Sequence, residues 1–148
     1  MREEIYQISA KRSAEVFEFI SEGPKGRIKK RIQYRKIYKD DMLYNLSFGD
    51  INLEKNTIDD KVVTNNEDTK KVLATVAATL FVFMKKHPDA IIYAKGSNPA
   101  RTRLYQIGIS NNFEEINERF TIFGVLSDDD LEIFQKNKNY LAFYIKNK

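Results

Sequence analysis

Two hydrophobic periods divide the chain. Ala14–Ser21 (AEVFEFIS) is dense in β-branched and aromatic residues and stops at Glu22-Gly23-Pro24, which predicts a strand and then a turn. The pattern restarts after Gly26. From Arg27 to Tyr38 (RIKKRIQYRKIY) the even positions carry Ile28, Ile32, Tyr34 and Tyr38, interrupted by Lys30 and Lys36. The odd positions carry Arg27, Lys29, Arg31, Gln33 and Arg35. A strand built this way has one mostly apolar face and one almost wholly cationic face. Lys39-Asp40-Asp41 predicts a hairpin turn into Met42–Asp50, where Met42, Tyr44, Leu46 and Phe48 share a side. A turn at Glu54-Lys55-Asn56 follows, with one more short strand expected over Lys61–Thr64.

The period then changes. Val72, Leu73, Val76, Ala77, Leu80, Phe81 and Met84 recur at three and four, predicting a helix over about Asp68–Lys86 with an apolar stripe for a sheet. Asn65 or Asn66 is the expected cap, and Glu67 and Asp68 suit the positive end of the helix dipole. Lys85, Lys86 and His87 suit the other end, and Pro88 stops it. Ala90–Lys95 reads as a short buried strand. Ser97 or Asn98 caps a second helix with Pro99 in its first turn, running to about Phe120, and Gly108 and Asn111-Asn112 weaken its middle. Thr121–Leu126 and Asn139–Lys146 are the last two strands. The sum is one α+β domain spanning 1–148, an antiparallel sheet packed against two helices.

Length and composition narrow the chemistry. The 148 residues suit a single core, and 42% apolar with 31% charged is globular. With no cysteine, disulfides, Cys-ligated metals and a Cys nucleophile are excluded, and His87 is the only histidine. Neither GxGxxG nor GxxxxGK[ST] occurs, so no nucleotide cofactor is expected, and none of another kind. The start has no long apolar run, so no signal peptide or membrane span is expected and the cytoplasm is the expected location.

The net charge of +4 conceals blocks. Residues 1–39 carry a net +6, 40–68 a net −6, 69–105 a net +6, 106–134 a net −6, and the remainder +4. Lys25–Lys39 is the densest run, with eight cations and no acid.

Several strings resemble a known family. FEFISEGPKGRIKK, YNLSFGD, VLATVAATL, AKGSNPARTRLY and NYLAFYIK together resemble an uncharacterised family of small bacterial proteins, a domain of unknown function. A shorter resemblance joins Lys25-Gly26-Arg27-Ile28-Lys29-Lys30, Tyr44-Asn45-Leu46-Ser47 and the long helix to Whirly-type proteins. It implies the single-stranded-DNA-binding transcriptional regulator fold and strands presented to single strands. After Pro88 the chain departs from that pattern.

Two groups of residues are candidate sites. Lys25, Arg27, Lys29, Arg31 and Arg35 line up cations as phosphates require, with Tyr44 beside them for base stacking. Ser97, Arg101, Arg103 and Tyr105 form an anion site at the start of the second helix, with Arg101 and Tyr105 on one face at i,i+4. Each has a plainer reading: a solvated strand face whose cations pair with Glu15 and Glu18, and a capped helix whose arginines bridge to acids. Asp40, Asp41, Asp50, Asp59 and Asp60 could hold Mg²⁺, but aspartates also favour turns, and no metal site is expected. His87 reads as a helix C-terminal residue.

The expected function is a non-enzymatic module for single-stranded DNA or RNA. The alternatives are a small ribonuclease-type toxin of a toxin–antitoxin pair, using Arg101, Arg103 and Tyr105, and an interaction module that meets an acidic protein or a second copy in a homo-oligomer.

Overall fold

The computed structural model describes residues 2–39, 42–59 and 64–148. Five strands come first: β1 (Ser9–Lys11), β2 (Val16–Gly23), β3 (Gly26–Lys36), β4 (Leu43–Asn52) and β5 (Thr57–Asp59). Then follow α1 (Thr69–Lys86), β6 (Ile91–Ala94), α2 (Pro99–Asn111), α3 (Phe113–Arg119), β7 (Phe120–Val125), β8 (Leu131–Ile133) and β9 (Ala142–Asn147). The expected Asp40-Asp41 turn and most of the Lys61–Thr64 strand fall outside the described residues.

All these strands join one sheet in the order β1-β2-β3-β4-β6-β9-β7-β8, with β5 paired to the end of β4. The sheet is mixed and largely antiparallel, so the all-antiparallel expectation is corrected at one place. β4 and β6 run parallel, in register Leu43↔Ile91 to Leu46↔Ala94. That pairing follows from the helix between them, because a crossover returns the chain in its original direction. Three helices replace the two expected: the second expected helix divides at Asn112, whose side-chain amide donates to the Gly108 carbonyl at 2.8 Å.

The core lies between the helices and one face of the sheet. In β3 the even side chains Ile32 and Tyr34 are buried there, as the period of two requires. Tyr34 stacks on Phe83 of α1 with ring centroids 4.2 Å apart, and its hydroxyl lies 2.8 Å from that of Thr79. Burial of a ring such as Phe83 contributes roughly 2 kcal/mol. The two lysines that interrupt the apolar face have separate fates. Lys30, only 3% exposed, sets its Nζ 2.6 Å from Asp50 Oδ1, whereas Lys36 is exposed above the Tyr44 ring.

The start of α1 departs from its expected capping. Asp68 is the N-cap residue, but it makes no side-chain cap bond. Its carboxylate accepts from the hydroxyls of Tyr6 and Ser21 instead. Asn66 is drawn into the β2–β3 turn, accepting from the Lys25 amide and donating to the Gly26 carbonyl. The start of α2 follows expectation: Asn98 Oδ1 accepts from the Arg101 amide at 2.9 Å, and Pro99 begins the helix.

Candidate functional site

Among the described residues, the helices pack against one face of the sheet. On the other, the register brings side chains from distant segments together. One row runs Arg35–Asn45–Tyr93–Tyr144–Phe123 across five adjacent strands, β3, β4, β6, β9 and β7. A second joins Lys11, Val16, Gln33 and Ser47. Next to these rows lies an open groove of about 780 Å³. Its walls are the β1–β2 turn at Arg12, the β4–β5 turn at Asn56, and the β6–α2 loop at Lys95–Ser97.

Charge in the groove is one-sided. Lys11, Arg12, Arg31, Arg35, Lys95 and Arg101 line it against one carboxylate, Glu18. That carboxylate is engaged on both sides, 2.9 Å from Lys11 Nζ and 2.6 Å from Arg31 Nη2. Burial pushes the Glu18 carboxyl up, but the hydrogen bonds and charges of Lys11 and Arg31 outweigh it and hold it below its ordinary value. Arg31 is fixed further by the Asn56 carbonyl and amide oxygens, at 2.8 and 2.7 Å. Arg12, Arg35 and Lys95 are exposed and form no ion pair among the described residues.

The wall at Arg12 is unusual in its backbone. Arg12, Ser13 and Ala14 have φ of 51°, 56° and 62°, three successive left-handed residues without a glycine. Each costs roughly 1–2 kcal/mol for an L-residue. The surroundings impose the shape: Ala14 is buried, the Glu15 amide donates to the Arg12 carbonyl, and the Glu15 carbonyl accepts from Tyr34. His87, at the end of α1, places Nε2 3.1 Å from the Ser13 carbonyl oxygen while its ring stacks on Phe83. The lone histidine thus braces the groove wall from beneath.

The opposite wall gives Arg101 and Tyr105 a structural position. β6 pairs with β4 only as far as Leu46, and β5 begins its pairing on the same side at Asp50. Among the described residues, no strand pairs with the edge of β4 between them. Arg101 Nη2 donates to the Phe48 carbonyl at 2.5 Å, and the Tyr105 hydroxyl donates to that of Leu46 at 3.1 Å. Gly49 leaves room for this, since a Cβ there would lie 3.0 Å from Arg101 Nη2 and 2.9 Å from the Asp59 carbonyl oxygen. Burial pushes the Tyr105 hydroxyl up, against the lowering influence of the Arg101 charge.

The sequence-derived candidates are therefore regrouped. Arg31 and Arg35 of the first set meet Ser97, Arg101 and Tyr105 of the second around one groove. Lys25 in the β2–β3 turn, Arg27 and Lys29 further along β3, and Arg103 on α2 are exposed and outside the groove lining. Tyr44 does not share the face of Arg31 and Arg35: it is 4% exposed under α1, edge-on to Phe83, because its even parity puts it on the helix side. Lys11, Arg12, Lys95 and Tyr93 are groove residues that the sequence did not single out. The only signal for Tyr93 was its place in a short strand. Asp50 is taken by Lys30, Asp59 sits in β5 opposite it, and Asp60 lies outside the described residues along with Asp40 and Asp41. No cluster of His, Cys, Asp and Glu suited to a metal occurs among the described residues.

The chain matches the model of the family of unknown function DUF6934 over residues 2–148. The chain belongs to that family. No curated protein and no solved structure matches it, and the likeness of its hairpin to Whirly-type proteins gains no support. In this DUF6934 chain no helix among the described residues is long and apolar enough to cross a membrane.

Proposed function

We propose that the uncovered sheet face binds single-stranded nucleic acid, with phosphates held in the cationic groove. The observation that carries this is the groove's charge: six cations line it, and its one carboxylate is already neutralised by two of them. Each phosphate that replaces condensed counterions with a fixed cation gains free energy, and Arg12, Arg35 and Lys95 are exposed for that role. Binding is favoured over catalysis because a carboxylate clamped between Lys11 and Arg31 is a poor proton acceptor.

Fluorescence anisotropy with a labelled mixed-sequence single-stranded oligonucleotide, titrated at low and moderate salt, tests this reading. Binding that weakens with salt is expected, as is loss of affinity in Arg35→Ala and Lys95→Ala. Silence at low salt ends it.

A further inference from the structure

The cationic strand alone suggests a ligand lying lengthwise along β3, from Arg27 to Arg35. The structure favours another course. Along β3, Arg31 is locked by Glu18 and Asn56, and Arg27 lies 3.6 Å from Glu22. At right angles, the face changes character step by step: a cation at Arg35, an amide at Asn45, then the rings of Tyr93, Tyr144 and Phe123. Tyr93 and Tyr144 have centroids 5.0 Å apart, and Lys146 Nζ lies 6.0 Å from the centre of the Phe123 ring. All three residues are half-buried, and Tyr93 also lines the groove. Adjacent strands are about 4.8 Å apart, so the row from β3 to β7 spans roughly 19 Å.

Resting on the proposed nucleic-acid function, we infer that Tyr93, Tyr144 and Phe123 form a base-stacking platform and that the strand crosses the sheet from β3 towards β7. Phosphates sit at the Arg35 and Lys95 end. Unpaired bases lie on the rings, with Lys146 supplying a cation at the far end. Rings in a sheet receive bases only when those bases are not already stacked in a duplex, so the platform selects single strands.

The test compares Tyr144→Leu and Phe123→Leu, which keep apolar bulk, with Tyr144→Phe, which keeps the ring, and with the lengthwise pair Arg27→Ala and Lys29→Ala. Each variant's melting transition is recorded first to confirm its fold. For a mixed-sequence single strand, each leucine variant should bind about tenfold more weakly while its salt dependence stays unchanged. Tyr144→Phe should bind as the parent chain does. Arg35→Ala should reduce the slope of log affinity against log salt by about 0.7. A duplex of equal length should bind more weakly than the single strand. If the leucine variants bind normally while Arg27→Ala and Lys29→Ala abolish binding, the ligand lies along β3 and the platform is wrong, with the nucleic-acid reading intact. If the parent chain binds no oligonucleotide at low salt, that reading falls and the platform with it.

Discussion

Arg101 Nη2 reaches the Phe48 carbonyl oxygen at 2.5 Å, two residues beyond the last β4–β6 pair at Leu46. Arg101 is 7% exposed, so the bond is made largely out of water. A hydrogen bond from a charged donor is worth about 1.5–3 kcal/mol. Arg101→Ala should lower stability to urea by about 2–3 kcal/mol. Its folded fraction should lose less oligonucleotide affinity than Arg35→Ala does. The reverse ranking would return Arg101 to the role of phosphate contact.

The Lys30–Asp50 pair is a second internal commitment. Removing one partner of a buried pair costs about 3–5 kcal/mol, whereas replacing both with apolar groups is often neutral. Asp50→Leu should therefore lower the urea midpoint strongly. Adding Lys30→Met to it should restore most of the loss, a recovery that independent sites would not show.

Glu18 carries an acid dependence with a definite sign. Its folded carboxyl is held below the ordinary value of 4.5. The stabilisation is therefore complete above that value and disappears as pH falls through the depressed folded one. Glu18→Gln should be less stable than the parent at neutral pH, and the gap between them should close on acidification. A stability–pH profile by thermal melting checks both features.

The left-handed turn predicts opposite effects at one position. Ser13 is exposed at φ 56° and contributes its carbonyl, not its hydroxyl, to the His87 contact. Ser13→Gly should leave stability unchanged or raise it by about 0.5 kcal/mol, the relief of strain being offset in part by glycine's entropy. Ser13→Val should lower it by about 1 kcal/mol or more, since β-branched residues resist positive φ. Urea denaturation of the two variants measures the difference.

Much of the local structure was legible because it depends on periods within short stretches. The alternation in Arg27–Tyr38 separated a buried face from a cationic one, and the three–four spacing of Val72 to Met84 marked α1. That same parity already placed Tyr44 with Leu46 and Phe48, so its burial follows from its position and its proximity to the cations in sequence misled. β1 is exposed throughout and β8 is three residues long, so neither left a hydrophobic signature. The groove was not legible. It depends on Arg12, Arg35, Lys95 and Arg101 meeting across strand pairings that no local period encodes. Asn112 was legible as a weak point in a helix, and proved to be the junction between two.

β9, last in sequence, lies in the middle of the sheet. It pairs on one side with β6 and on the other with β7, which have no pairing with each other. The β2–β3–β4 meander is built from neighbours in sequence and can form early, while the other half waits for a strand about fifty residues beyond β6 to arrive. Pulse-labelled hydrogen exchange should find the amides of β3 protected before those of β6. Because Tyr144 belongs to β9, the aromatic row across the sheet comes into existence only once β9 has joined β6 and β7. A partly folded molecule would display the cations of β3 without the rings, and so could attract a polyanion without discriminating one strand from two.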